Sequence, residues 1–309
     1  MMKTITLTKF YFVLFGVILL HSATGCESYP QDEYEELVVV EAYAIANRIL
    51  PIVRVRTTTP ADQFYDESES AISGANVQLV LLDESGDDEE VFEYRFASAN
   101  GGLYLPVNRT HHALPNRTYR LDIDFNDRPE VIRAKTTIPD QFEIINDVEE
   151  SVVYQSENQL EITISETMKK DDQQVYVFST IASDPVVENL TPFYRANYDN
   201  DNIEIDDVII NSSGLINEGN FDRNPDGTIT LRFPWLGVAF YGENQIVTAL
   251  ADKNLVQLVR SQEVQLGGST LSPGEIPNLT FNIEGGIGIF GSISTDTVTT
   301  NFVRPPVGD

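Results

Sequence analysis

Cys26 is the only cysteine in 309 residues and stands in the stretch "TGCESYPQDEYEE". A lone thiol closes no internal disulfide and builds no multi-cysteine zinc site. Nucleophilic use would need an electropositive setting that lowers the thiol pKa. The neighbours here are Glu27, Asp32, Glu33, Glu35 and Glu36, so that use is set aside. The histidines are His21, His111 and His112, the last two adjacent in "VNRTHHALPN". Adjacent residues of an extended chain point to opposite faces, which argues against the pair sharing one metal. No G-x-S-x-G elbow accompanies them. With 48 acidic residues, carboxylate pairs are unavoidable and carry no glycosidase signal without geometry. No convergent set emerges, so the expectation is a protein that is not an enzyme, with no catalytic residues and no cofactor.

Two motifs need weighing. Asp222, Asn224 and Asp226, followed by Gly227, place oxygen donors at the first, third and fifth positions of a calcium-type loop. The twelfth position is Phe233, where such a loop needs a bidentate Glu. "NPDG" before "TITLRF" reads more simply as a hairpin turn, and no metal is expected. Gly286, Gly288 and Gly291 satisfy G-x-G-x-x-G. Dinucleotide binding needs a helix to start behind those glycines. A β-rich stretch follows instead, so the glycines are read as allowing close strand packing or a bend.

The elements around Cys26 explain its place. Lys3 and Lys9 precede "FYFVLFGVILL", an apolar run over residues 10–20, and Ala23, Thr24 and Gly25 follow it. The run is too short to span a bilayer and has the length of a signal-peptide core. A secretory signal ending in small residues and a cysteine resembles a bacterial lipobox, with Ala23 where the pattern commonly has Leu. The resemblance implies that residues 1–25 are a lipoprotein signal peptide and that Cys26 is the lipid attachment point. Residues 26–36 are then an acidic tether, which like-charge repulsion extends. The tether also resembles the acidic export signal of surface lipoproteins in the Bacteroidota.

From Leu37 the pattern has period two. "TYRLDIDF" puts Tyr119, Leu121, Ile123 and Phe125 on one face, and "NVQLVLL" does the same with Val77, Leu79 and Leu81. Turn signals such as "ESGDD" and "ANGG" separate the runs. The fold class expected is mainly β, with an N-terminal antiparallel β-sandwich and then a second β-rich domain with one short helix. That helix is "DKNLVQLVRSQEVQ", with Asp252 as N-cap. "ISGANVQLVLLDESG", "NGGLYLP", "LPNRTYRLDIDF" and "AKTTIPD" resemble the transthyretin-like, carboxypeptidase-regulatory-type sandwich over residues 37–139. Residues 140–309 form the second domain.

The formal net charge of −28 excludes nucleic acid and anionic headgroups as partners. The helix, the Pro-rich loop and the Gly-Gly-x-Gly-x-Phe-Gly run near the C-terminus resemble a Bacteroidota outer-membrane lipoprotein family often encoded beside TonB-dependent receptors. That resemblance implies a lipid-anchored, cell-surface protein of the outer membrane, acting as a non-enzymatic accessory of a TonB-dependent nutrient transporter. The alternative is an adhesion or envelope-structural lipoprotein with no transport role; an enzyme ranks third. The densest aromatic stretch, "RFPWLGVAFYG", and the glycine-rich end supply the candidate partner surface: Trp235, Phe240, Tyr241 and Phe290.

Overall fold

Alternation of apolar and polar residues sets most of the strands. In β1 (Val38–Ile45) Val38, Val40, Ala42 and Ala44 are buried, while Tyr43 faces out. The same inward-outward alternation runs through β6 (Thr118–Phe125) and β7 (Val131–Thr137). The computed structural model describes residues 34–129, 131–167, 174–200, 202–221, 223–266 and 278–306. The expected signal peptide, Cys26 and Asp222 lie outside the described residues.

Residues Leu37–Asp309 form one contact unit. Its first core lies inside a sandwich. One layer holds β1, β2 (Val53–Thr57), β5 (Leu103–Pro106) and the start of β16 (Ile287–Val303). The other holds β3 (Ala75–Leu82), β6, β7 and β15 (Ile283–Glu284). β4 (Asp88–Ser98) joins the layers, pairing with β3 through its first half and with β5 through its second. Val40, Val55, Leu79, Leu121, Ile132 and Phe290 meet between them.

The second core sits on the far half of β16. There β16 pairs antiparallel with β14 (Gly242–Ala251), which pairs with β10 (Val175–Ala182). β10 in turn carries β11 (Ile210–Ser212) and β12 (Ile216–Asn217) on its outer side. A hairpin-like pair, β9 (Glu161–Ile164) with β13 (Ile229–Arg232), covers this sheet. Phe142, Ile162, Tyr176, Phe178, Ile246 and Phe302 fill the space.

Two features depart from the expected picture. β16 runs parallel to β1, from Val39 opposite Ile287 to Ile45 opposite Ile293, and parallel to β8 (Ser151–Val153) near its end. The sheet is therefore mixed. A parallel pair needs a long connection, and here most of the chain supplies it. Among the described residues there are also two α-helices. α2 (Lys253–Leu266) is the expected one. α1 (Pro192–Asp199) is eight residues long and buries only Tyr194, too little to print a helical period on the sequence.

The glycines of the C-terminal motif lie in and beside strands. Gly286, Gly288 and Gly291 belong to the turn into β16 and to β16 itself, with no helix behind them. A side chain at Gly291 would run into Leu255 of α2, so this glycine lets the helix approach the strand. Gly288 has φ of +117°, and a Cβ there would run into the Val40 carbonyl oxygen of β1. Gly288→Ala is therefore predicted to lose more than about 3 kcal/mol in denaturant unfolding. Gly86→Ala, in the open β3–β4 turn with φ of +85°, is predicted to lose only about 1 kcal/mol. Equal losses at the two positions would refute the close approach of β1 and β16.

Candidate functional site

The start of α2 gathers polar groups from three distant parts of the chain. Asp252 is buried and caps the helix: the Leu255 amide donates to its Oδ1 at 2.9 Å. Its other oxygen, Oδ2, lies 2.6 Å from Thr136 Oγ1 at the end of β7. Thr136 Oγ1 lies 2.7 Å from Ser292 Oγ on β16, and Ser292 Oγ lies 3.1 Å from the Thr137 carbonyl oxygen. Asn254 and Asn282 each donate from Nδ2 to the carbonyls of Lys135 and Phe290. Asn282 Oδ1 accepts from the Phe290 amide at 2.9 Å. This seam holds β7, β16 and α2 together.

Thr136 Oγ1 donates to Asp252 Oδ2, and Ser292 Oγ donates to the Thr137 carbonyl. Burial pushes the Asp252 carboxyl above the usual carboxylate range, against the lowering effect of its hydrogen bonds, that from Thr136 first.

Beside the seam, a cavity of about 460 Å³ opens between the ends of β7, β10 and β14 and the first turns of α2. Its size suits a small ligand. Ile138, Val175, Leu250 and Val256 give it apolar walls. Asp140, Gln174, Lys253, Gln257 and Arg260 supply polar groups. Several of these are engaged inside the protein. Asp140 accepts from Asn116 Nδ2 at 2.5 Å and from the Gln141 amide at 2.9 Å. Gln174 Oε1 accepts from the Tyr176 hydroxyl at 2.6 Å, and Arg260 donates to Asn217 Oδ1 at 2.7 Å. The arrangement can enclose a ligand. Thr136 and Ser292 were not singled out in the sequence. Only the N-cap pattern at Asp252 signalled this region, because the partners are 116 and 156 residues apart in their pairs.

The structure disperses the other candidate residues. Asn224 and Asp226 close a turn: Asn224 Nδ2 donates to the hydroxyls of Thr228 and Thr230, and Asp226 Oδ1 accepts from the Thr228 amide and hydroxyl. Among the described residues no group of three or more His, Cys, Asp and Glu side chains is placed to hold a metal. His111 Nε2 lies 3.1 Å from the Tyr119 hydroxyl, and its ring packs 4.2 Å from that of Phe92. Burial lowers its pKa below the ordinary histidine value. His112 Nδ1 instead faces the Thr110 carbonyl at 3.1 Å. The two rings therefore share no site.

The proposed aromatic partner surface is corrected. Phe240 and Phe290 are fully buried, and Tyr241 is buried. Trp235 packs against the second core, its ring 5.4 Å from that of Tyr154. Aromatic density along "RFPWLGVAFYG" reflects core packing, the ordinary fate of such side chains. The exposed aromatics among the described residues lie elsewhere, at Tyr34, Tyr43, Phe64, Tyr65, Phe193 and Phe281. Phe64 was legible in principle, since it stands in a polar, acid-rich loop with no apolar residue at strand spacing.

Residues 27–299 match the family described as a domain of unknown function, DUF4249, and the chain belongs to that family. No curated protein matches the chain. Among solved structures it is similar to a tetra-tandem repeat from the extending region of a large adhesion protein. That match has 10% identity and a TM-score of 0.23, covering 85% of this chain and 50% of that one. The chain thus spans half the length of that structure. It is also similar to three N-terminal domains of the bacteriophage RB49 outer capsid protein Hoc. Here identity is 11% and the TM-score 0.21, with 87% of this chain and 71% of that one covered. A third match is to the chicken CNTN1 FN1–FN3 domains, at 9% identity and a TM-score of 0.25, covering 86% and 67% of the two chains.

The raised pKa of Asp252 generates a prediction with a definite sign. A folded pKa raised above the unfolded value gives stability that is present at low pH and lost as pH rises through the folded pKa. Asp252→Asn cannot ionise and keeps an oxygen for the helix cap, so it escapes that loss. In urea unfolding it is predicted to exceed wild type at about pH 7, with the gain vanishing by about pH 3. Asp252→Ala is predicted to fall below Asp252→Asn by about 1–3 kcal/mol, because the cap and the Thr136 hydrogen bond are both lost. A gain independent of pH would contradict the raised pKa of Asp252.

Proposed function

We propose that this DUF4249 protein is a lipid-anchored, outward-facing protein of the outer membrane that works by binding, as a non-enzymatic accessory of a TonB-dependent nutrient transporter. The observation that carries the reading is Cys26 itself: a single cysteine behind basic residues, an apolar run and a small triplet, and ahead of an acidic stretch. Acyl chains on that cysteine, at about 0.8 kcal/mol per buried CH₂, make anchoring effectively permanent. Among the described residues no helix is long and apolar enough to cross a membrane.

An anchor confines protein and receptor to one plane. Confinement raises effective concentration, so a modest interface stays occupied. The cavity beside α2 supports a binding role, since its polar groups are fixed by internal hydrogen bonds and its walls are apolar. The net charge of −28 disfavours an anionic surface as the partner.

The test is purification of a tagged full-length chain from its native membranes in mild detergent. A large β-barrel receptor is expected to accompany it. Cys26→Ser is expected to leave the membrane fraction, lose acyl labelling and lose the receptor. If wild type emerges alone and its deletion leaves receptor-dependent growth unchanged, the transport reading fails and an envelope-structural role replaces it.

A further inference from the structure

Phe64 is 97% exposed, and no other large apolar side chain among the described residues exceeds 61%. It stands in the loop between β2 and β3, which is tied down on both sides. The Thr57 amide donates to the Ser70 carbonyl at 2.8 Å, and the Ile72 amide to the Val55 carbonyl at 3.1 Å. Asp66 Oδ1 accepts from the Ser68 and Glu69 amides. Arg56 Nη1 donates to the Tyr65 hydroxyl at 2.7 Å, and Tyr104 donates to the Ile72 carbonyl. The loop is thus held in shape while its largest apolar group points into solvent. A loop already held in shape loses little backbone freedom on docking.

The surroundings define what it fits. Asp62, Asp66, Glu67 and Glu69 flank Phe64 along the loop, and Glu41 lies on the strand behind. The two arginines of this face, Arg54 and Arg56, are already paired with Glu41, at 3.8 and 2.5 Å. Tyr43 and Tyr65, each about half exposed, continue the surface. A central aromatic with a polar, charged rim is the anatomy of a protein-binding hot spot. The excess of carboxylates repels an anionic lipid surface and a second copy of the same face.

We propose that the β2–β3 loop is the docking element of this protein and that Phe64 plugs an apolar socket bordered by Lys and Arg on a protein partner. The proposal deepens the accessory reading above and rests on it for the partner's identity. The steps of association follow from the chemistry. The acidic rim steers approach to a basic surface, which speeds association at low salt. Phe64 then leaves water within the socket, which slows dissociation. Both effects meet in one loop, so they separate experimentally by salt and by substitution.

The experiment places photo-reactive p-benzoylphenylalanine at position 64 of the full-length chain in its native membrane, with position 107 as control because Val107 is also exposed, at 61%. A single adduct is expected at 64 and none at 107, with its contact on the partner mapping to an apolar pocket bordered by basic residues. Phe64→Ala should keep the wild-type unfolding midpoint and reduce receptor recovery by at least about tenfold. Raising salt should weaken recovery of wild type. If wild type recovers the receptor and Phe64→Ala recovers it equally, this inference falls while the accessory reading stands. If wild type recovers no receptor, the accessory reading falls, and the mapped adduct at 64 alone decides whether the loop docks a protein. An adduct of the chain with itself, with lipid, or none at all overturns the inference.

Discussion

The fold hangs on a parallel meeting of its two ends. β1 near the start and β16 near the end lie side by side, with Gly288 against the Val40 carbonyl. A side chain at 288 could not be accommodated there. Because the strands meet, the 17-residue β16 becomes the spine of both cores. Its first half closes the sandwich with Phe290, and its second half pairs with β14 and supplies Phe302 to the other core. The last described stretch of the chain therefore completes the core laid down by the first.

The polar seam follows from the same geometry. Where β16 passes from one core to the other, α2 must pack against it, and Gly291 makes room for Leu255. The helix start then falls beside β7, and its unpaired amides need acceptors. Asp252 meets that need: it accepts from the Leu255 amide and from Thr136, and these bonds act against the rise in pKa that its burial causes.

Much of this was legible and some was not. Local pattern revealed the strands: "TYRLDIDF" reads as β6 because its period-two burial is written in residue types. The N-cap at Asp252 and the non-nucleotide role of the glycines were readable for the same local reason. Pairing across more than 200 residues was not, since nothing near Val40 names Ile287 or Gly288 as its neighbour. The partners of Asp252 were hidden likewise. The aromatic stretch around Trp235 misled because composition shows that side chains are apolar and not which face they take; Phe240 faces inward. Conversely, the exposure of Phe64 was legible only as a pair of aromatics, Phe64 and Tyr65, set in an acid-rich loop with no apolar residue at strand spacing.

The spine implies that the two cores open together. Trp235, the only tryptophan, reports on the second core. Amides of β3 and β6 report on the first. Native-state hydrogen exchange of Leu79 and Leu121, followed across a denaturant series beside Trp235 fluorescence, compares them directly. The predicted result is one shared midpoint and one opening free energy, with β16 amides among the slowest to exchange. A Trp235 transition at lower denaturant, with Leu79 and Leu121 still protected, would contradict a common spine.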